Sequence, residues 1–280
     1  MKSNKRGSLI PQKRKTTMKT KNLLLLSASF LLLASCGGDA PAPEVTIEEA
    51  QTISKNAQAK YAADEVTIPS DFSFKSVTSA TVEGKTSEMI VEVTSAITAQ
   101  YFHVKTAGTV EGEDASIEQY VFVRDGVFVI AAAMGEEKMY QESSIGADTL
   151  FEQTVAEIGS KFDSKTIATD LIETLTSTID NLIDMMPADI EGEVSYPEGV
   201  TNWSATCRSS GEGNLSVEAN VKVADDDIQG ELSVAVSMDN YLPQSMSMSE
   251  TAGADSMSSI TECHWGNVDL VYPNAADFKA

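Results

Sequence analysis

The chain has few of the residues that carry most enzyme chemistry and most nucleic-acid binding. Its 280 residues include two histidines, three cysteines and two tryptophans, and 20 basic residues stand against 42 acidic ones. Because a protein that binds nucleic acid neutralises phosphates with lysine and arginine, this balance argues against a nucleic-acid partner. An anionic lipid surface would also repel a chain of this charge.

The spacing of the rare residues offers no recognisable catalytic or metal site. No GxSxG, P-loop, GxGxxG, CxxC or HExxH pattern occurs, and His103 and His264 lie in strand-like segments where a structural role is the simpler interpretation. Acidic residues are so numerous that choosing two of them as an acid–base pair would be arbitrary. The sequence therefore predicts a protein that is not an enzyme and that uses no metal or cofactor.

The most apolar run of the chain lies near the N-terminus and has the features of an export signal. Lys19 and Lys21 precede an apolar core, Leu23 to Ala34. A core of this length fits a signal peptide, because a helix that spans a bilayer needs about 20 apolar residues. The basic residues 1–17 come before Met18, which offers an alternative start of the chain.

The four residues that end this run, Leu33-Ala34-Ser35-Cys36, resemble the bacterial lipobox. In that family, small residues precede a cysteine whose thiol and freed amine receive acyl chains. The resemblance implies that residues 1–35 are a signal peptide and that residues 36–45 form a tether lipidated on Cys36. Two or three acyl chains would hold the protein firmly, because one chain alone binds a membrane only marginally. An ordinary secretory signal followed by a chance cysteine is the alternative.

The lipobox also implies a location on the extracytoplasmic face of the cell membrane or of an outer membrane. Gly37 stands where an aspartate often signals inner-membrane retention, which favours the outer membrane or an outward-facing surface. Eight of the basic residues and none of the acidic ones precede Cys36, so the remaining chain carries a net charge of −30. Solubility through self-repulsion is the simplest consequence of this charge, and a cation-binding role is the alternative.

Two cysteines remain after Cys36. Cys207 and Cys263 both lie in the C-terminal part of the chain, in strand positions that predict inward-facing thiols on the same sheet. In an exported protein such a pair predicts one disulfide, which closes a long loop and could stabilise the fold by about 4 kcal/mol. Two unpaired thiols are the alternative.

Apolar periodicity divides residues 46–280 into helical and strand regions. Thr46 to Glu49 form a capping box that opens a helix to about Ala63. Alternation of apolar and polar residues predicts strands from Phe72 to Ser143 and from Asn202 to Tyr272. Within the first region, Asp125-Gly126 between two apolar runs predicts a hairpin turn. Two helices are predicted between these strand regions: Asp148–Phe162, and Lys165–Met186 with apolar residues at every fourth position.

This order predicts an α+β fold, in which an extended, curved antiparallel sheet forms a half-barrel wrapped around a few helices. Each strand has one apolar face, as expected of an antiparallel sheet that is solvated on the other side. With its C-terminal runs Met238–Met246 and Trp265–Pro273, the arrangement resembles the fold of LolA and LolB and of the LppX/LprG-type bacterial lipoproteins. The resemblance implies one LolA-like domain over residues 46–280 and a role in carrying acyl chains or lipoproteins.

A curved sheet of about twelve strands offers more apolar surface than two central helices cover, and a void costs dispersion contacts unless something fills it. We therefore expect a dry cavity for a lipid or another hydrophobic ligand. The residues predicted to bound it are Ile167, Leu171, Leu175 and Ile179 on the helix, and Leu215, Val217, Val234, Val236 and Met246 on strands. The methionines of this region would suit variable acyl chains, with a soft-metal site as the alternative. They are Met238, Met246, Met248 and Met257.

The sequence thus predicts a membrane-anchored extracytoplasmic lipoprotein that binds or carries a lipid or another hydrophobic ligand. The alternative is a surface-exposed interaction module whose core is filled by its own side chains. The sequence identifies no protein partner for either.

Overall fold

Twelve strands form one antiparallel sheet in the computed structural model, which describes residues 42–279 except 111–112, 160–161, 191 and 226–227. The predicted signal peptide and Cys36 lie outside the described residues. The first strands are β1 (Glu44–Val45), β2 (Phe72–Val82), β3 (Lys85–Ala96), β4 (Tyr101–Val110), β5 (Glu113–Arg124), β6 (Val127–Met134) and β7 (Glu137–Ser143). A separate hairpin joins β8 (Ala188–Ile190) and β9 (Glu193–Ser195). The remaining strands are β10 (Val200–Gly211), β11 (Asn214–Asp225), β12 (Ile228–Asp239), β13 (Leu242–Ala252) and β14 (Asp255–Trp265).

The sheet consists of two meanders joined at one seam. Its strand order is β1-β10-β11-β12-β13-β14-β2-β3-β4-β5-β6-β7, and the seam is the antiparallel pairing of β14 with β2. We call the end of the sheet that holds the turns at residues 83–84, 135–136 and 253–254 the distal end. The opposite end, with the turns at residues 125–126, 212–213 and 240–241, is the proximal end.

The helices are α1 (Ile47–Ala62), α2 (Ala147–Gly159), α3 (Ser164–Asp184) and α4 (Ala275–Phe278). The predicted capping box is confirmed: Glu49 N–H donates to Thr46 Oγ1, and the Glu49 carboxylate accepts from Thr46 N–H. The two predicted central helices are also confirmed, with ends shifted by one to three residues. In the part of the chain that the structure describes, no helix is long and apolar enough to cross a membrane.

The helices α1, α2 and α3 pack on one face of the sheet, which we call the inner face. One apolar cluster joins α1 and α3 to β10, β11 and β12, with Leu175, Ile179 and Val217 almost completely buried. A second cluster joins α2 and the start of α3 to the strands of the N-terminal meander, around Phe102 and Val121. The Trp203 indole donates to the Leu182 carbonyl at 3.0 Å and so fixes the last turns of α3 over β10.

The C-terminal residues cover part of the outer face. The prediction that strand continues to Tyr272 is wrong, because β14 ends at Trp265 and Gly266 follows with φ +95°. Residues 268–278, which we call the strap, then pack over aromatic side chains of β4 and β5. Tyr101 Oη donates to the Val271 carbonyl at 2.7 Å, and Phe278 is buried at the end of the strap.

The outer face of the central strands is held by alternating charges. The cross-strand neighbours follow the order Glu262, Lys75, Glu92, Lys105 and Glu118 from β14 to β5. Opposite charges placed directly across an antiparallel pair attract each other. The hydrogen bond from Lys75 to the Glu92 carboxylate, at 2.7 Å, lowers the pKa of Glu92. This row of charges therefore stabilises the register of the strands. It also explains why Lys75 and Lys105 lie on this face, since each is opposite a glutamate on both neighbouring strands.

Candidate apolar binding site

The nine residues predicted to bound a ligand cavity belong to two packed clusters. Ile167 and Leu171 lie in the α2 cluster, and the other seven lie in the α1–α3 cluster. A cavity of about 10 Å³ remains beneath α3, enough for one water molecule. Its lining residues are Leu171, Leu175, Pro243, Gln244, Ser245, Met246, Thr261 and Cys263. An acyl chain could enter this region only if α3 moved away from β13.

The predicted Cys207–Cys263 disulfide is wrong. Cys207 lies on β10 and Cys263 on β14, with β11, β12 and β13 between them. Four inter-strand spacings, about 19 Å along the sheet, lie between the two residues, and a disulfide needs Cα atoms within about 7 Å. Both thiols are free and buried. The sequence indicated the shared inner face of the two residues but not the strands that separate them.

The two thiols should be unreactive in the folded protein. Burial raises the pKa of Cys207 to about 11 and that of Cys263 to about 12, so both stay protonated near neutral pH.

In residues 42–280, prepared without reductant, a maleimide should label neither thiol before unfolding and both after it. A Cys207→Ser control should then show one label. Fewer than two labels on the unfolded parent would contradict the structure.

Five large apolar side chains are exposed on the inner face near the distal end. Their exposed fractions are Val82 41%, Met89 52%, Ile117 52%, Met134 57% and Met139 37%. They lie on strands β2, β3, β5, β6 and β7. Side chains two residues apart share a face of a strand. These five therefore lie on the same face as the cluster that α2 covers nearer the proximal end. We call them the distal shelf.

Small residues lie between the large side chains of the distal shelf. Gly108 is opposite Met89, and Ala132 is opposite Met139. A Cβ at position 108 would lie 2.9 Å from the Glu88 carbonyl oxygen, so a larger residue would clash with the backbone of β3 unless the strands moved apart. Large and small residues therefore alternate on the inner face across the distal part of strands β3 to β7.

The described methionines are concentrated on this side of the sheet. Seven of them lie on strands, each in register with inner-face residues, and two follow α3 and pack against the α1–α3 cluster. The seven are Met89, Met134, Met139, Met238, Met246, Met248 and Met257. Methionine is flexible and polarisable and adapts to apolar partners of variable shape. The sequence pattern singled out the methionines of β12, β13 and β14 but not those of the distal shelf.

Among the described residues, no group of three or more His, Cys, Asp or Glu side chains is placed to hold a metal ion. The outer-face His103 ring stacks on Tyr120, with ring centroids 4.2 Å apart, and lies 3.2 Å from a Glu118 carboxylate oxygen. Burial lowers its pKa in spite of that carboxylate. It lies away from the inner face and supports the outer-face packing.

No family model matches the chain, and no curated protein matches it. Among solved structures, the chain is similar to Rv2717c from M. tuberculosis, with 11% identity and a TM-score of 0.19 over 68% of this chain and 89% of that one. It is also similar to a β-barrel-like protein of the domain of unknown function DUF1849 from Brucella abortus. That similarity has 8% identity and a TM-score of 0.20 over 72% of this chain and 100% of that one. Similarity at this level leaves the function of the chain open.

Proposed function

We propose that this protein is a lipid-anchored extracytoplasmic binding protein whose distal shelf takes an apolar ligand. The observation that carries the proposal is the exposure of five large apolar side chains together on one face of the sheet. Contiguous exposed apolar patches on soluble domains commonly mark binding sites. We further propose that the sheet curves as a half-barrel in the LolA-like manner, with the shelf at its open end.

A ligand on the shelf would continue the packing that α2 provides over the neighbouring part of the inner face. Val91 and Ile130 are partly buried beside the α2 cluster, and the next inner-face positions along β3 and β6 are Met89 and Ala132. Each methylene removed from water contributes about 0.8 kcal/mol. Eight methylenes would contribute roughly 6 kcal/mol, which alone corresponds to a Kd of roughly 40 μM, and the cost of immobilising the chain weakens the binding from there.

The proposed anchor lies at the opposite end of the sheet from the shelf. Ser209 N–H donates to the Pro43 carbonyl at 3.0 Å, and Val45 pairs with Cys207, so the tether joins the domain at the proximal end of β10. Pro43 is seven positions after Cys36, so the segment between them spans at most about 25 Å. A strand of twelve residues extends about 40 Å. The shelf can therefore face away from the membrane that holds the anchor.

The small volume beneath α3 favours a second candidate, an interaction module with a filled core. In that case the shelf would receive an apolar segment of a partner protein instead of a free amphiphile. The two candidates differ in whether the purified domain binds a small apolar molecule.

A shelf substitution tests the proposal. The neutral fluorescent probe N-phenyl-1-naphthylamine should bind residues 42–280, and Ile117→Ser should weaken its binding about tenfold because an apolar contact is lost. Ile145→Ser is the matched control, since Ile145 is 84% exposed near the proximal end and lies outside the shelf.

The binding measurement is a fluorescence titration, with circular dichroism to show that both variants are folded. Equal weakening by the two substitutions would place the probe elsewhere. Absence of probe binding to the parent domain would reject the small-ligand proposal and leave the interaction module.

A further inference from the structure

The distal end of the inner face carries more negative than positive charge. Five carboxylates lie on inner-face strand positions or in the adjoining turns, and Lys85 is the one described cation among them. The five are Glu83, Glu136, Glu137, Glu250 and Asp255, and we call them the rim. By strand alternation, Lys138 and the acidic Glu88 and Asp114 belong to the outer face.

The rim carboxylates are close to the shelf in the sheet register. Glu137 lies directly opposite Met134 across the β6–β7 pair, and Glu136 lies in the turn between them. On the other side of the shelf, Asp255 accepts a hydrogen bond from Glu83 N–H at 2.9 Å, one residue beyond Val82. A molecule lying on the shelf would therefore end close to carboxylates at either side.

This arrangement favours one class of apolar ligand over others. A fatty acid or an acidic phospholipid would bring a further negative charge beside carboxylates that already repel one another. A positively charged group would be attracted by them, and the attraction is strengthened where the neighbouring surface is apolar and excludes water. We infer that the distal shelf binds a cationic amphiphile, an apolar chain that carries a positively charged group. This inference rests on the proposed function of the shelf.

Three detergents with the same chain length separate the effect of charge from that of apolar contact. Dodecyltrimethylammonium, dodecyl maltoside and dodecanoate, each below its micellar concentration, would displace N-phenyl-1-naphthylamine from residues 42–280. We expect the cation to bind about fivefold to tenfold more tightly than the neutral compound at low salt, and the anion to bind most weakly. The preference should shrink as salt rises to about 0.5 M.

The triple variant Glu83→Gln, Glu136→Gln and Glu137→Gln should bring the affinity for the cation close to that for the neutral compound. The control is Glu198→Gln, Glu212→Gln and Glu218→Gln, which removes the same charge from exposed positions outside the rim. Both triple variants should bind dodecyl maltoside as the parent does, which also shows that they are folded.

The possible outcomes separate this inference from the proposed function. If the anion binds as tightly as the cation, or if the control variant loses the preference to the same extent, the rim does not select the ligand and the inference is overturned. If none of the three compounds displaces the probe, the proposed function itself fails.

Discussion

Replacing Phe278 by alanine is expected to lower the free energy of unfolding by about 3 kcal/mol. Phe278 is 7% exposed and meets the Tyr120 ring edge-on, with ring centroids 5.7 Å apart. Its loss would open a cavity between the strap and β5. A urea titration followed by tryptophan fluorescence measures the change. Val271→Ala is the matched control in the same strap, because Val271 is 68% exposed and its truncation should cost less than about 0.5 kcal/mol.

Deletion of residues 268–280 should have a still larger effect. The deletion removes Phe278 together with Tyr272, which meets both Tyr101 and Phe122 edge-on. Exposure of the aromatic side chains beneath the strap should lower the free energy of unfolding by more than about 5 kcal/mol, which is a large part of the stability of an average domain. If the shortened protein were as stable as the parent, neither the strap nor the burial of Phe278 would contribute to the free energy of unfolding.

Replacing Cys36 by alanine is expected to transfer the protein from the membrane to the soluble exported fraction. Acyl chains on this residue would supply the membrane affinity, and the acidic domain contributes none of its own. Cell fractionation after washing with salt and carbonate measures the distribution. Cys207→Ala is the matched control, because Cys207 is a buried residue of β10 whose replacement should leave the protein on the membrane. Retention of the Cys36 variant on washed membranes would contradict the lipobox interpretation.

Local periodicity predicted much of the fold. A capping box and an apolar stripe are properties of residues three or four apart, so α1 and α3 could be identified from the sequence. The Asp-Gly turn between two apolar runs likewise predicted the hairpin at Asp125-Gly126, which the structure confirms with positive φ at both residues. These signals are independent of the rest of the chain.

The remaining features depend on contacts between distant parts of the sequence. Val268, Leu270 and Tyr272 alternate with polar or exposed residues and are partly buried, but such alternation does not distinguish a strand from a strap that packs on the outer face. In the same way, the shared face of Cys207 and Cys263 indicated nothing about the three strands between them. The distal shelf was missed because its exposure depends on how much of the sheet α2 covers.

The seam between β14 and β2 determines the order in which the strands of the sheet can pair during synthesis and folding. Ser76 and Thr261 share a hydrogen bond across the seam although they are 185 positions apart in the chain. A chain made from its N-terminus can form the meander from β2 to β7 hairpin by hairpin, but the free edge of β2 must wait for β14. Closing so long a loop slows folding, and an open edge invites pairing with other chains. Completion of the sheet therefore follows synthesis of nearly the whole chain, and the interval before it is when a chaperone would be needed most.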